Sequence, residues 1–215
     1  MPDSAAAPAT LRLGASPTLA HYVLPRLLAD FRQRHPAVAV ALHPANSAQV
    51  ARALLRGELD LGFVEGPERL PGLHYQRLLF DELVAVRGAT PSGPPPGPLP
   101  LAEALAYTWV LREPGSGTLA AVAAALQPHS VALADLPHVC HFEDNEAVKT
   151  RLRTESGTLG FLSRRALVAE LSGGQLEEVP IQGLYLAREL MAAWRTAEGL
   201  PPVAQQFMHE CGVTF

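Results

Sequence analysis

The chain is short of cysteine, of lysine and of long apolar runs. Cys140 and Cys211 are the two cysteines in 215 residues, too few for a disulfide framework, so free thiols in a reducing compartment, the cytoplasm, are expected. Lys149 is the one lysine and the formal net charge is -4, so the diffuse positive field that sequence-independent phosphate binding needs is missing. This segment by itself is not expected to hold DNA. Charges or prolines interrupt every Leu/Ala-rich stretch well before the ~18 consecutive apolar residues of a membrane helix, which excludes a membrane-spanning role. Residues 1–10 have neither the charged start nor the apolar stretch of a signal peptide and read as a disordered leader. Arginine, alanine, proline and glycine are plentiful, but that bias points to no site.

Hydrophobic residues make up 48% of the chain, enough for a real core in one large domain or two small lobes. From Leu11 onward short apolar runs alternate with helical patterns, the signature of parallel βαβ units, so the fold class is α/β. Leu11, Leu13 and Ala15 form a strand pattern. Leu24, Leu27, Leu28 and Phe31 then recur at helical spacing, with Arg32, Arg34 and His35 suiting a helix C-terminus and Pro36 stopping it before a strand over Val38 to Leu42. Pro25 fits a first helical turn, so either the helix starts near Leu24 or a separate turn covers Thr18 to Val23. Asn46 and Ser47 precede a helix over Val50 to Leu54 that Gly57 closes, and Leu59, Leu61 and Phe63 form the next strand. After an extended run from Leu78 to Val86, nine of the thirteen residues from Gly88 to Pro100 are Pro or Gly, a surface loop. The grammar then repeats: strand Trp109 to Leu111, helix Thr118 to Leu126, strand His138 to Phe142, helix Glu146 to Arg153, strand Leu159 to Leu162. A helix from Arg164, strands near Leu176 to Ile181 and over Leu184 to Trp194, and a helix opened by Pro201 and Pro202 complete the chain.

Catalytic signatures fail on inspection. Ser116 lies between glycines, but Pro114 and Thr118 stand where a nucleophile elbow needs glycine. Thr118 follows Gly117 where a phosphate-binding P-loop needs lysine. His138, Cys140 and His141 invite a metal, yet on a strand His141 points away from the other two and no second cluster of ligands lies nearby. Asp60 and Asp144 lack an acid/base partner in sequence. The chain therefore reads as no enzyme, with no catalytic residue, no metal site and no cofactor.

Several short motifs occur in one order: Leu11-Arg-Leu-Gly-Ala-Ser16, the Leu24-Pro25-Arg26-Leu27-Leu28 helix ending in Arg34-His35-Pro36, Gly57 through Pro67, Leu111 through Thr118, Asn145-Glu-Ala-Val-Lys149 and Gly160 through Arg165. From Leu11 to the C-terminus the chain resembles the effector-binding domain of LysR-type transcriptional regulators. The resemblance implies the type 2 periplasmic-binding-protein fold, two Rossmann-like lobes joined by two crossing strands with a ligand between them. It places the first lobe at 11–83 plus 187–215 and the second at 84–186. It also implies an effector-sensing role for a small molecule, an anion among the candidates, in a homodimer or tetramer. DNA would be bound through an N-terminal winged helix-turn-helix that this sequence lacks. A solute-binding protein for transport has the same lobes and stays open as the alternative.

Within that frame the unpaired N–H groups at helix starts can hold an anion without a catalytic residue. Ser16 and Thr18 follow the first strand, Asn46 and Ser47 open the second helix, and Gly115, Ser116, Gly117 and Thr118 open a helix in the other lobe. The family's effector contacts fall at matching positions, with Glu65 and Asn145 as further members. Asn46 and Ser47 serve equally well as plain N-caps. The two glycines beside Ser116 would let backbone approach a ligand closely. Glu65 in its ordinary role is a solvated acid at a strand end.

Overall fold

A computed structural model describes residues 10–90 and 97–212. In chain order β1 (Thr10–Ala15) leads into α1 (Pro17–Tyr22) and α2 (Leu24–Arg34), followed by β2 (Ala39–Pro44), α3 (Ser47–Leu55), β3 (Leu61–Glu65) and β4 (Leu73–Gly88). Next come α4 (Leu101–Ala104), β5 (Thr108–Arg112), α5 (Gly117–Leu126), β6 (Val139–Phe142), α6 (Asn145–Thr154) and β7 (Thr158–Ser163). The last elements are α7 (Val168–Ser172), β8 (Leu176–Glu178), β9 (Leu186–Arg195) and α8 (Pro202–Glu210). The expected leader lies almost wholly outside the described residues, as do 91–96 of the Pro/Gly-rich loop. The chain divides into two compact units: one holds the chain up to Val64, Arg69–Leu78 and the chain from Met191, and the other holds Glu65–Glu68 and Leu79–Leu190.

In the first unit β1 pairs in parallel with both β2 and β3, Leu13 lying opposite Leu42 on one side and Leu61 on the other. The strand order continues through β9 to β4. Both readings of Pro25 are realised at once: α1 ends at Val23, and the same residue leads into α2, where Pro25 occupies the first turn and loses no hydrogen bond. Gly14 and Gly62 face each other in register under α3, and a Cβ on either would stand 2.4 Å from Leu59 Cδ1 or 2.7 Å from Leu54 Cδ1. Leu59 thus lies before the strand that was expected to include it and fills the core from the preceding turn. Phe207 of α8 meets Phe31 and Phe63 edge-on at 5.1 and 6.1 Å, an arrangement aromatic quadrupoles favour. Burial pushes the Asp60 carboxyl up, but hydrogen bonds from the Arg12 side chain and backbone N–H outweigh this and hold it below the ordinary carboxylate range.

In the second unit β5 runs parallel to β6 and β7, while β4 is antiparallel to β7 and β8. Alternation along the strands loads both faces. Trp109, Leu111, Leu159 and Phe161 pack with Val122 and Leu126 of α5 on one side, and Val84, Val86, Val110 and Leu162 pack with Val148 and Leu152 of α6 on the other. The Trp109 indole N–H, fully buried, donates to the Ala104 carbonyl at 2.9 Å. The helix expected from Arg164 is a 3-10 turn over Arg164–Ala166 followed by the five residues of α7.

Candidate functional site

In the first unit, two adjacent parallel strands end together and each turns into a helix. Ala15 lies opposite Pro44, and the Ala45 N–H donates to the Ala15 carbonyl at 3.0 Å. Ser16 and Thr18 therefore share one end of the sheet with Asn46 and Ser47. Ser16 is the N-cap of α1, its hydroxyl accepting from Leu19 N at 3.5 Å, while its own N–H donates to Phe63 O at 2.9 Å. Asn46 closes a reciprocal capping box with Gln49, both bonds 3.0 Å, which uses its side-chain oxygen for the helix itself. Ser47, half-buried, is the first residue of α3.

The second unit shows the same arrangement. Arg112 lies opposite Phe142, the Glu113 N–H donates to Phe142 O at 3.0 Å, and α5 and α6 start from the ends of these neighbouring strands. Gly115 through Thr118 and Asn145 are thus brought to one end of this sheet. Gly115 takes a positive φ of 89° in the turn, and Ser116 caps α5 by accepting from Thr118 N at 3.2 Å. Gly117 has a reason other than ligand approach. A Cβ there would stand 2.1 Å from the Glu65 carbonyl oxygen, so glycine is what lets the first turn of α5 pack on the backbone at the end of β3.

Glu65 departs from the solvated acid expected at a strand end. It is 3% exposed and its Oε1 lies 3.0 Å from Nη1 of Arg188, whose side chain is 1% exposed. A buried carboxylate is tolerable only when paired, and Arg188 supplies the pair. The same guanidinium donates to Thr118 Oγ1 at 2.8 Å and, through Nε, to Asp81 Oδ2 at 2.9 Å. Ser163 donates its hydroxyl to the other oxygen of Asp81 at 2.7 Å, and Thr118 donates to Glu65 Oε1 at 3.4 Å. Glu65, Asp81, Thr118, Ser163 and Arg188, all in the second unit, form one buried network, and the Thr118 hydroxyl is engaged within it.

Asn145 belongs to a second buried group. Arg112, 1% exposed, donates from Nη1 to Asn145 Oδ1 at 2.7 Å, from Nη2 to the Glu143 carbonyl at 2.9 Å, and from Nε to Glu113 at 2.8 Å. Asn145 is the first residue of α6 and Asp144 its cap. His141 does not stand with His138 and Cys140; its Nδ1 is 2.8 Å from the Arg112 carbonyl. Among the described residues no group of three or more His, Cys, Asp or Glu side chains is placed to hold a metal.

Arg112, Asp81, Ser163 and Arg188 carry these networks and were not singled out in the sequence. One signal was available for two of them. Arg188 falls in phase with Leu186 and Leu190, and Asp81 in phase with Leu83 and Ala85, so each places a charge on the apolar face of its strand.

The model of the LysR substrate binding domain matches residues 5–213. The chain belongs to this family. It is 35% identical over 207 residues to the Phosphonates import ATP-binding protein PhnC of Anaeromyxobacter dehalogenans, covering 93% of this chain and 40% of that protein. It is 33% identical over 202 residues to the Uncharacterized HTH-type transcriptional regulator YeiE of Escherichia coli, covering 94% of this chain and 67% of YeiE. The regulatory domain of Synechocystis PCC6803 CcmR, solved in complex with 2-PG, superposes with a TM-score of 0.79 at 29% identity, covering 94% of this chain and 95% of that one. The chain thus spans between 40% and about two thirds of the length of these two curated relatives. A LysR-type effector-binding domain of the type 2 periplasmic-binding-like fold is what the residues build, and none of its described helices is long and apolar enough to cross a membrane.

Proposed function

We propose that this chain senses a small molecule for a LysR-type transcriptional regulator of the cytoplasm, without catalysis, and that the effector is held at the helix starts of α1, α3, α5 and α6. The observation that carries the reading is the fit to the CcmR regulatory domain, which was solved in complex with 2-PG, at 94% coverage of this chain. The site residues proposed are Ser16, Thr18, Asn46 and Ser47 in the first unit, and Glu65, Gly115, Ser116, Gly117, Thr118 and Asn145 in the second. Their support is that adjacent parallel strands deliver helix starts in pairs, where backbone N–H groups and helix dipoles favour an acceptor. DNA recognition and self-association belong to the complete regulator. Leu27 and Leu28 of α2 remain half-exposed and offer an apolar stripe for a second copy.

A thermal-shift screen of 2-PG, small carboxylates, sulfur oxyanions and sugar phosphates, followed by calorimetry, tests the sensor. Ser47→Ala removes one neutral hydrogen bond, worth ~0.5–1.5 kcal/mol, and should weaken the best binder about 2- to 13-fold. Unchanged affinity with a lowered melting temperature would reduce Ser47 to a structural helix-start residue. A helix-turn-helix segment encoded in the surrounding reading frame would support the regulator reading.

A further inference from the structure

Away from the helix starts, the second unit holds a cavity of about 240 Å³ at the edge of β4. β8 pairs with β4 from Val86 to Gly88, and the Val179 N–H extends this pairing by donating to the Ala85 carbonyl at 2.9 Å. Pro180 has no N–H with which to continue it. Its carbonyl and the Gln182 N–H turn instead to the backbone of Leu99, at 2.7 and 2.9 Å, so the chain swings away from β4 before β9 starts at Leu186. The space beside β4 is floored by Leu83, Ala85, Phe161 and Leu186, all buried core residues. Such side chains offer water few hydrogen bonds, and apolar cavities of ~150 Å³ already accept a benzene ring.

The rim of this cavity is charged. Arg164 donates from Nε to Glu82 at 2.9 Å and lies 2.8 Å through Nη1 from Glu178, so one guanidinium serves two carboxylates. These three are the charged residues lining the cavity, and together they leave one negative charge uncompensated. Tyr185, 75% exposed, lines the same cavity and adds a ring face to which a cation is drawn. We infer that this cavity is a second ligand site, one that takes a small arylalkylamine with its ring on the core residues and its ammonium held by the Glu82 and Glu178 carboxylates. An apolar pocket with a few polar groups at one end is the usual form of a small-molecule site. It shares no residue with the proposed effector site, so the two stand or fall separately.

The test is calorimetry of the whole chain with 2-phenylethylamine, 2-phenylethanol and phenylacetate, which share a ring and differ in charge. The amine should bind about 2- to 5-fold tighter than the alcohol, with the carboxylate weakest, and the margin should shrink as salt is raised. Glu178→Gln should remove the amine's advantage and leave the alcohol unchanged. Ala85→Leu fills the floor of the cavity and should weaken the amine and the alcohol alike by ~10-fold or more. A reporter of location is built in: Trp109 lies against Phe161, ring centroids 5.1 Å apart, so once Trp194 is changed to Phe the bound amine should shift the Trp109 emission. That shift also decides the location if Ala85→Leu does not fold. An amine that does not bind, that binds no tighter than the alcohol, that binds folded Ala85→Leu as well as the parent, or that leaves Trp109 emission unchanged would overturn the inference.

Discussion

Replacing Arg188 is the sharpest test of how the second unit is held together. Its guanidinium faces Glu65 Oε1 at 3.0 Å, Asp81 Oδ2 at 2.8 Å and Thr118 Oγ1 at 2.8 Å, and all three charged side chains are 1% exposed. Arg188→Met keeps most of the apolar stem and deletes the charge, taking the buried cation from Glu65 and leaving Asp81 with only the exposed Arg165, whose Nε lies 3.5 Å from Oδ1. Breaking a buried pair from one side costs about 3–5 kcal/mol, a large share of the ~5–15 kcal/mol that stabilises a typical domain. Because the chain forms two compact units, a single melting temperature is a poor measure and a local reporter is needed. Trp109, fully buried in the second unit, serves once Trp194 is changed to Phe, and urea unfolding followed by its emission should show the loss as a lowered midpoint. The control is Arg188→Met combined with Glu65→Gln and Asp81→Asn, which removes the stranded charges and should recover more than half of the deficit. A single variant that loses under about 1 kcal/mol, or a triple variant no better than the single, would refute the account of a charge-balanced core.

Two further outcomes follow from local geometry. Gly117→Ala would place a Cβ 2.1 Å from the Glu65 carbonyl, where backbone and not a flexible side chain must yield; it should cost ~1–3 kcal/mol or more in urea unfolding, while Gly97→Ala, with nothing within 4 Å, should be silent. Burial and then the neighbouring Glu210 push the Cys211 thiol up to about 11 from an ordinary 9.0. The folded state therefore favours the neutral thiol: stability from this group is complete below pH 9.0 and is lost as pH rises towards about 11. In a Cys140→Ser background, alkylation by iodoacetamide should keep accelerating with pH well past 9, since the thiolate is the nucleophile; a plateau at the ordinary thiol value would contradict the shift.

The order of strands and helices was legible because it rests on local physics. Period-2 and period-3.6 patterns are written in the residues that make them, and Asn46, Pro25 and Gly57 act within one turn of where they stand. The start of β3 was misplaced because Leu59 is apolar, and pattern cannot tell a strand residue from a turn residue that fills the core. Ser16, Thr18, Asn46 and Ser47 were readable as helix starts, as were Ser116 and Thr118. Their grouping by strand ends depends on parallel pairing over 30 residues or so, which no local signal encodes. Gly117 was read as room for a ligand to approach, and the backbone of Glu65, 52 positions earlier, makes a separate demand for glycine there that no sequence pattern shows. Glu65, Asp81 and Arg188 show most plainly where tertiary structure alone decides. The strand pattern sets Asp81 and Arg188 on apolar faces, but only folding removes all three side chains from water within reach of one another, so that burial makes their pairing obligatory.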